Sequence, residues 1–188
     1  MAATVETLSD LVFFIAKQQK GRKDLVSWQD GRDRNFLSTA DWVHRTHCIA
    51  AALEADGVGH GDRVAIFSEN CPEWHNVEFA CQLLGAISVP IYPTLPADQV
   101  AYILSDSGCD RIFYSDKAKA KVLESVRGLG SRPLNGIAFK SEAATPRDDS
   151  LGRLLERGAE IADSKPLDEF RSRPRASDVA SLIYTSGT

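Results

Sequence analysis

The sequence predicts an α/β fold, in which a mostly parallel β-sheet is covered by flanking helices. Three observations support this prediction. Between residues 61 and 140, short apolar runs typical of buried strands alternate with helical patterns, and glycines follow those helices. Long connections between successive strands favour right-handed crossovers, which make the strands parallel and cover both faces of the sheet. The chain has 188 residues, of which 43% are hydrophobic, so it can bury a sizeable core.

Residues 1–60 are predicted to form a helix, a hairpin and a capped helix that contribute to a second sheet. Apolar residues recur at helical spacing within residues 8–20. Two β-forming runs flank the dipeptide Asp30-Gly31, which supplies the positive φ angles of a tight hairpin turn. Ser38, followed three residues later by Asp41, is a capping signal for the second helix.

Residues 61–140 are predicted to alternate between strands and helices. The strands are expected at "RVAIF", "AISVPIY", "RIFYS" and "GIAF". The intervening helices are expected to start near Pro72, Pro96 and Ser115, since proline suits the first helical turn and serine is a good cap. Pro90 lies inside the second strand, which indicates an edge strand or a bulge because proline has no N–H to donate.

Residues 141–177 are predicted to form a charged linker with a short helix, and residues 178–188 a strand followed by a loop. The helical pattern of the linker is carried by Leu151, Leu154 and Leu155. A small basic cluster follows at Arg171, Arg173 and Arg175. It leaves two interpretations open, a solvated face or an anion site, and the absence of aromatic neighbours favours the solvated face.

Composition excludes several classes of protein. The net charge of −4 and the lack of a basic stripe argue against a nucleic-acid partner. The four cysteines have no CxxC spacing and are expected to be buried thiols of a reducing compartment. The apolar stretch over residues 11–16 is too short for a membrane span and follows acidic residues, so it is not a signal peptide. We expect a cytoplasmic protein without its own anchor, with peripheral membrane contact left open.

Two weaker patterns are assigned to structure rather than to function. His44, His47 and Cys48 share a helix and could suggest a metal site, but no further ligand cluster follows, so a half-exposed helix with one buried thiol is favoured. The glycines of "GVGHGD" leave a helix and enter a strand, which is the reverse of a dinucleotide-binding fingerprint. They are explained as a helix C-cap and a turn.

The C-terminal stretch "LIYTSGT" carries the strongest chemical signal. Small residues allow a ligand to approach the backbone closely, and hydroxyls beside main-chain N–H groups suit a phosphate. The candidate phosphate-binding residues are Thr185, Ser186, Gly187 and Thr188. The turn is neither a Walker A loop, since G-x-x-x-x-G-K-[ST] is absent, nor a nucleophile elbow, since Tyr184 stands where glycine is required.

The sequence "IYTSGT" resembles the opening of the phosphate-loop signature Y-T-S-G-T-T-G-x-P-K-G of the acyl-adenylate-forming, or AMP-binding, superfamily. The block "LVSWQDGRDRNFLSTADWVHRTHCIAAALEADGVGHGDRVAIFSENCPEW" is similar to the hairpin, helix and strand at the N-terminus of these enzymes. The block "GAISVPIYPTLPADQVAYILSDSGCDRIF" resembles that of long-chain acyl-CoA synthetases. The resemblance covers residues 20–140 and 178–188. It implies an incomplete N-terminal portion of the large domain of an adenylate-forming enzyme.

The resemblance implies a parent enzyme that joins a long-chain fatty acid to coenzyme A with ATP and Mg²⁺ through an acyl-adenylate. It also implies that residues 185–188 embrace the β- and γ-phosphates. The family places its lysine, its Mg²⁺-associated glutamate, its adenine-binding segment and its C-terminal domain beyond the residues seen here. We therefore assign no catalytic and no metal-binding residue, and expect the 188-residue chain alone to be inactive. No cofactor is expected to bind it tightly, and its bare sheet edges are expected to favour self-association.

Three other functions remain open from the sequence. An amino-acid or aryl-acid adenylating relative would share the same loop, because the pocket for the acid is built mostly by residues outside this chain. A non-enzymatic α/β interaction module would retain the scaffold alone. A flavodoxin-like nucleotide binder explains the alternating pattern but neither the Asp30-Gly31 hairpin nor the terminal loop, so it ranks last.

Overall fold

The computed structural model describes residues 5–129, 133–171 and 173–185. The helices are α1 (Leu8–Gln18), α2 (Thr39–Ala55), α3 (Pro72–Leu84), α4 (Ala97–Ser107), α5 (Lys117–Leu129) and α6 (Leu151–Ala162). Short 3₁₀ turns cover Ser141–Ala143 and Leu167–Phe170. The strands are β1 (Val26–Asp30), β2 (Asp33–Leu37), β3 (Arg63–Phe67), β4 (Ile87–Ile91), β5 (Arg111–Tyr114), β6 (Asn135–Ala138) and β7 (Asp149–Ser150).

Five of the strands form one sheet in the order β4-β3-β5-β6-β7, and every neighbouring pair is parallel. The strands β1 and β2 form a separate antiparallel hairpin. The predicted α/β class and the parallel sheet are therefore confirmed. The chain leaves β3 for β4 on one side and then crosses to β5 on the other, so β3 lies between the next two strands of the sequence.

The sheet is covered on both faces by helices, as predicted. Alternate residues of a strand point to opposite faces, and the two core clusters follow this alternation. On face A, Ile66 and Phe113 pack with α1, α2, α3 and α6. On face B, Phe67 and Tyr114 pack with α4 and α5. These four strand residues are fully buried, and the two clusters together form the core.

The segment 141–177, expected as a charged linker, also completes the core of face A. Leu154 on α6 and Phe170 in the second 3₁₀ turn are both 0% exposed. The backbones of α6 and α2 approach so closely that a Cβ atom on Gly158 would lie 2.0 Å from the carbonyl oxygen of Cys48. The linker is therefore a packed element, because its few apolar residues fall on one side of α6.

A buried ion pair ties the segment between β6 and β7 to helix α5. The guanidinium of Arg127 pairs with the carboxylate of Asp148, whose side chain is 0% exposed. Asp148 also accepts hydrogen bonds from the hydroxyls of Tyr114 (2.9 Å) and Thr145 (2.8 Å). Burial alone would raise the pKa of Asp148, but the hydrogen bonds from Arg127, Thr145 and Tyr114 lower it. The carboxylate is thus held in its charged form.

The hairpin prediction is confirmed, with its turn one residue later than the dipeptide suggested. Asp30 pairs with Asp33, so the two loop residues are Gly31 and Arg32. Only Gly31 has a positive φ (61°) in this turn. A glycine in the first loop position is the arrangement of a type II′ turn, which matches the twist of the flanking strands.

The helix caps agree with the sequence in one case and shift in another. Ser38 caps α2, since its Oγ accepts the N–H of Asp41 at 3.1 Å. The cap predicted at Ser115 instead lies at Asp116, whose carboxylate accepts the N–H groups of Ala118 (2.8 Å) and Lys119 (3.0 Å). A carboxylate also interacts favourably with the positive end of the helix dipole, which favours Asp116 over its neighbour.

Candidate functional site

The C-terminal described segment crosses the outer edge of the sheet at β4. Ser181 forms a parallel bridge with Ser88. The N–H of Ser88 donates to the carbonyl of Ala180 at 3.1 Å, and the N–H of Leu182 donates to the carbonyl of Ser88 at 2.9 Å. β4 is one of the two edge strands of this sheet, which is one of the two possibilities that Pro90 indicated.

The contact with β4 is restricted to this one bridge. Residues two apart in a strand direct their backbone groups to the same side, so Pro90 faces outward as Ser88 does. Proline has no N–H, so it cannot provide the next hydrogen bond that a longer parallel pairing would need. Residues 182–185 therefore continue past the edge without forming a regular strand.

Helix α3 holds the same segment through side chains. The amide nitrogen of Gln82 donates to the carbonyl of Ala180 (3.0 Å) and to Oε1 of Glu78 (3.0 Å). The other carboxylate oxygen of Glu78 is buried without a hydrogen-bond partner among the described residues. Burial raises the pKa of Glu78, because a charged carboxylate loses its hydration there, and the neighbouring Ser88 and Gln82 side chains lower it only in part. Glu78 thus helps to orient Gln82, and burying its charge lowers the stability of the fold.

A second tie precedes the bridge. Nε2 of His60 lies 2.7 Å from Oδ2 of Asp178, and the same carboxylate oxygen accepts the N–H of Arg175 at 2.7 Å. The hydrogen bond with His60 lowers the pKa of Asp178. This contact connects the loop between α2 and β3, which contains His60, to the residues just before the terminal segment.

Tyr184, the residue directly before the predicted phosphate loop, is held by contacts with α4. Its hydroxyl donates to Oδ2 of Asp106 on α4 at 2.6 Å, and its ring meets that of Tyr102 edge to face at 6.4 Å between centroids. Leu182 and Tyr184 pack against the face B core, while Ile183 is 72% exposed. Burial and the Asp106 carboxylate raise the pKa of Tyr184 to about 12, so the phenol stays protonated and donates.

Of the predicted loop, Thr185 lies within the described residues, and it is exposed. Ser186, Gly187 and Thr188 lie outside them. Because the segment runs parallel to β4, Thr185 follows at the carboxyl end of the sheet, which is the end where open α/β sheets bind ligands. An exposed hydroxyl at this position can donate to a phosphate oxygen.

A polar cluster at the same end of the sheet was not predicted. It lies where β3 and β5 end, and Lys119, only 8% exposed, forms ion pairs there with Glu69 and Asp116. The hydroxyl of Ser115 donates to Glu69 at 3.0 Å. These groups satisfy one another, so the cluster positions the loops after β3 and β5. The sequence offers no signal for it, since Lys119 contacts Glu69 across fifty positions.

The other sequence candidates have structural roles. Sγ of Cys48 lies 3.6 Å from a ring nitrogen of His44, and a ring nitrogen of His47 lies 2.9 Å from the carbonyl of Lys165. Burial lowers the pKa of His47. Within residues 5–129, 133–171 and 173–185, no group of three or more His, Cys, Asp or Glu side chains could hold a metal ion. All four cysteines are free, and Cys71 is half-buried while the other three are buried.

The basic cluster does have aromatic neighbours, contrary to the expectation from sequence. The guanidinium of Arg171 lies 4.0 Å from the ring centre of Phe13. That of Arg173 lies 4.2 Å from the ring centre of Phe170 and donates to Glu54 at 2.6 Å. These aromatic rings stack with cations from within the chain, so they are part of the packing. No helix in the described part of the chain is both long and apolar enough to cross a membrane.

Comparison with known proteins places this geometry in a family. The family model described as AMP-binding enzyme matches residues 13–188. Long-chain-fatty-acid–CoA ligase FadD15 of Mycobacterium bovis is 35% identical over 187 residues, which are 98% of this chain and 30% of that protein. The chain thus spans less than a third of the length of this relative.

Solved structures agree with the fold. The N-terminal domain of FACL13 from Mycobacterium tuberculosis superposes with a TM-score of 0.74 at 25% identity, covering 97% of this chain and 42% of that one. The anthranilate CoA ligase AuaEII, in complex with anthranoyl-AMP, gives a TM-score of 0.80 at 19% identity, covering 96% of this chain and 32% of that one. The parallel sheet, the terminal segment on its β4 edge and the family match lead to one conclusion: the chain belongs to the AMP-binding enzyme family.

Proposed function

We propose that this chain is the N-terminal part of an ATP-dependent long-chain fatty acid–CoA ligase. The observation that carries the proposal is the 35% identity to a long-chain-fatty-acid–CoA ligase over 98% of the chain. In the proposed reaction a carboxylate oxygen attacks the α-phosphorus of ATP and pyrophosphate leaves. The sulfur of coenzyme A then attacks the acyl carbon, the thiol gives up its proton, and AMP leaves.

The contribution of this chain is to hold the start of the phosphate loop. The ties at Ser88, Gln82 and Asp106 fix residues 180–184 on the sheet edge and so aim Thr185 at the carboxyl end of the strands. Its hydroxyl, with Ser186, Gly187 and Thr188, would donate to the β- and γ-phosphate oxygens. ATP supplies the adenylyl group, and Mg²⁺ and coenzyme A are the other reactants of the proposed enzyme.

The chain by itself is proposed to be inactive. Negative charge develops on pyrophosphate as it leaves, and its stabilisation requires cations and preorganised donors worth several kcal/mol. At the carboxyl end of the sheet, the ammonium group of Lys119 is already paired with Glu69 and Asp116, so it is not available for this charge. The remaining groups would come from the part of the relatives that this chain does not span.

The test is a chimera in which residues 1–188 replace the matching segment of FadD15 from Mycobacterium bovis. We expect palmitate-dependent exchange between ATP and pyrophosphate, and none from the 188-residue chain alone. Thr185→Val should reduce exchange by about tenfold or more, since one donor to the developing charge is lost. Ser125→Ala is the control for loss of a hydroxyl, because Ser125 is exposed in the third turn of α5, away from the carboxyl ends of the strands.

The outcomes separate the alternatives. A chimera that shows native circular dichroism but no exchange with any acid would overturn the proposal and support an interaction module. Because most of the acid pocket lies outside this chain, the aryl-acid alternative is tested on the full-length parent enzyme, where exchange with anthranilate and not palmitate would support it. Exchange by the purified 188-residue chain would contradict the proposed inactivity.

A further inference from the structure

An open groove of about 710 Å³ lies between α1, α2 and the 3₁₀ turn Leu167–Phe170. Its apolar floor is contributed by all three elements, through Phe13, Ala16, Val43 and Leu167, and the polar side chains of Thr39, His44 and His47 also line the groove. The groove is on the face A side of the sheet, whereas Tyr184 packs on face B. The sheet therefore lies between the groove and Tyr184, the residue that leads into Thr185.

The rim of the groove is positively charged, in a chain whose net charge is −4. Lys17, Lys20 and Arg171 line it, and Asp168 is the one carboxylate among the described lining residues. Arg171 already pairs with Asp168 at 3.3 Å, so that carboxylate is compensated. Lys17 and Lys20 are exposed and form no ion pair within the described part of the chain. Two ammonium groups thus remain available beside an apolar floor.

The positions of the lysines place their charges together. Lys17 is in the last turn of α1, and Lys20 follows two residues after the helix ends at Gln18, so the same end of α1 brings both lysines to the groove. Cations at a helix C-terminus interact favourably with the helix dipole, which explains Lys17 in the last turn without any ligand. The helix dipole does not explain why an apolar floor lies beside these lysines, or why Arg171 lines the same groove.

We propose that this groove binds a single-chain amphiphile with an anionic headgroup. The alkyl chain would cover Ala16, Val43 and Leu167, and the headgroup would lie between the two lysines and Arg171. Each methylene removed from water is expected to raise the affinity about fourfold. The floor is concave, which suits one chain better than a flat bilayer, and Phe13 is already covered by Arg171, which leaves no free ring for a nucleobase. The inference does not rest on the proposed ligase function.

The first experiment is a titration of the ¹³C-methyl-labelled 188-residue chain with alkyl probes kept below their micelle concentrations. Decanoate and decyl phosphate should both bind and shift the methyl signals of Ala16, Val43 and Leu167. Octanoate should bind about sixteenfold more weakly than decanoate, since it lacks two methylenes. Acetate and decanol should bind at least tenfold more weakly than decanoate. Binding that is equal for decanol and decanoate would overturn the anionic headgroup, and shifts confined to Leu182 would overturn the location.

The second experiment changes the charge of the rim. The double variant Lys17→Glu, Lys20→Glu should lose at least tenfold in affinity for decanoate. The matched control, Lys117→Glu with Lys121→Glu, makes the same change in net charge on exposed positions of α5 and should leave the affinity unchanged. Thermal unfolding of both variants checks that the fold is retained. Equal weakening in both pairs, or binding of anionic phospholipid vesicles without binding of decanoate, would overturn the proposal.

Discussion

The hydroxyl of Tyr184 donates to the carboxylate of Asp106 at 2.6 Å and thereby connects the segment leading into Thr185 to helix α4. This bond and the bridge between Ser88 and Ser181 hold the segment from two sides. The first residue of the predicted phosphate loop follows directly. The position of Thr185 therefore depends on contacts that the preceding sheet and helices provide.

We expect Tyr184→Phe to loosen this segment with little effect on the rest of the fold. The substitution removes a hydrogen bond to a charged but exposed partner, which is worth about 1 kcal/mol. Amide hydrogen exchange of residues 182–185 should become several-fold faster, while the urea midpoint changes little. Tyr102→Phe is the control, because it keeps the edge-to-face ring contact and leaves the Asp106 bond in place. Unchanged exchange in Tyr184→Phe would contradict the proposed tie.

We expect Glu78→Gln to stabilise the protein at pH 7 by about 1 kcal/mol, because it removes a buried and incompletely hydrogen-bonded charge. The pKa of Glu78 is raised in the folded state, so its ionisation opposes folding above that pKa. The penalty is absent below the unfolded-state pKa and grows as the pH rises through the folded-state pKa.

The measurement is urea unfolding of wild type and Glu78→Gln at pH 7 and pH 4. The advantage of the variant should shrink at the lower pH. Glu160→Gln, at an exposed position on α6, serves as the control and should show no such dependence. A variant advantage that is the same at both pH values would show that ionisation is not its cause.

We expect Gly158→Ala to destabilise the fold by about 3 kcal/mol, since its Cβ would overlap the backbone of Cys48 and force α2 and α6 apart. Gly152→Ala lies on the same helix, where the new Cβ would have ordinary contacts at 3.8 Å from Ser141 Oγ. It should be neutral or stabilise by up to about 1 kcal/mol through helix propensity. Urea denaturation of both variants tests the pair, and equal stabilities would refute the close packing of α2 on α6.

We expect Asp148→Asn to cost about 3 kcal/mol, because it leaves the Arg127 guanidinium without its buried partner. The pKa of Asp148 is lowered in the folded state. Its contribution is therefore fully present above the unfolded-state pKa and is lost as the pH falls through the folded-state pKa. The stability of the wild type should fall more steeply with acid than that of the variant, as measured by thermal unfolding from pH 7 to pH 3. Parallel curves would rule out this carboxylate as the acid-sensitive group.

The sequence was informative where local chemistry decides the structure. The strands and helices of residues 61–140 followed from apolar periodicity, and Gly85 and Gly108 end their helices in the left-handed conformation as expected. The sequence predicts the cap of α5 one residue too early, because Ser115 and Asp116 are both good capping residues and the local sequence does not distinguish them. In the structure the hydroxyl of Ser115 donates to Glu69, while the carboxylate of Asp116 accepts the first N–H groups of α5.

Long-range contacts could not be predicted. The burial of Phe170 depends on its packing against α2, where His47 meets its ring edge to face at 5.7 Å between centroids, and α2 is more than a hundred positions away in sequence. The same holds for the tie of Tyr184 to Asp106, which joins residues 78 positions apart. Of the candidate site, the sequence identified the residue types of the loop, while the side chains that position Thr185 emerged only from the three-dimensional structure.

Pro90 has no N–H group, and this affects whether strands from other chains can pair with the β4 edge. An exposed outer strand is a template for adding strands from other molecules, and each added strand needs a regular series of donors. With one donor absent and Ser88 already occupied by residues 180–182, indefinite lateral growth of sheets is interrupted at this border. Extension of the sheet by strands from other chains is therefore disfavoured at the β4 edge.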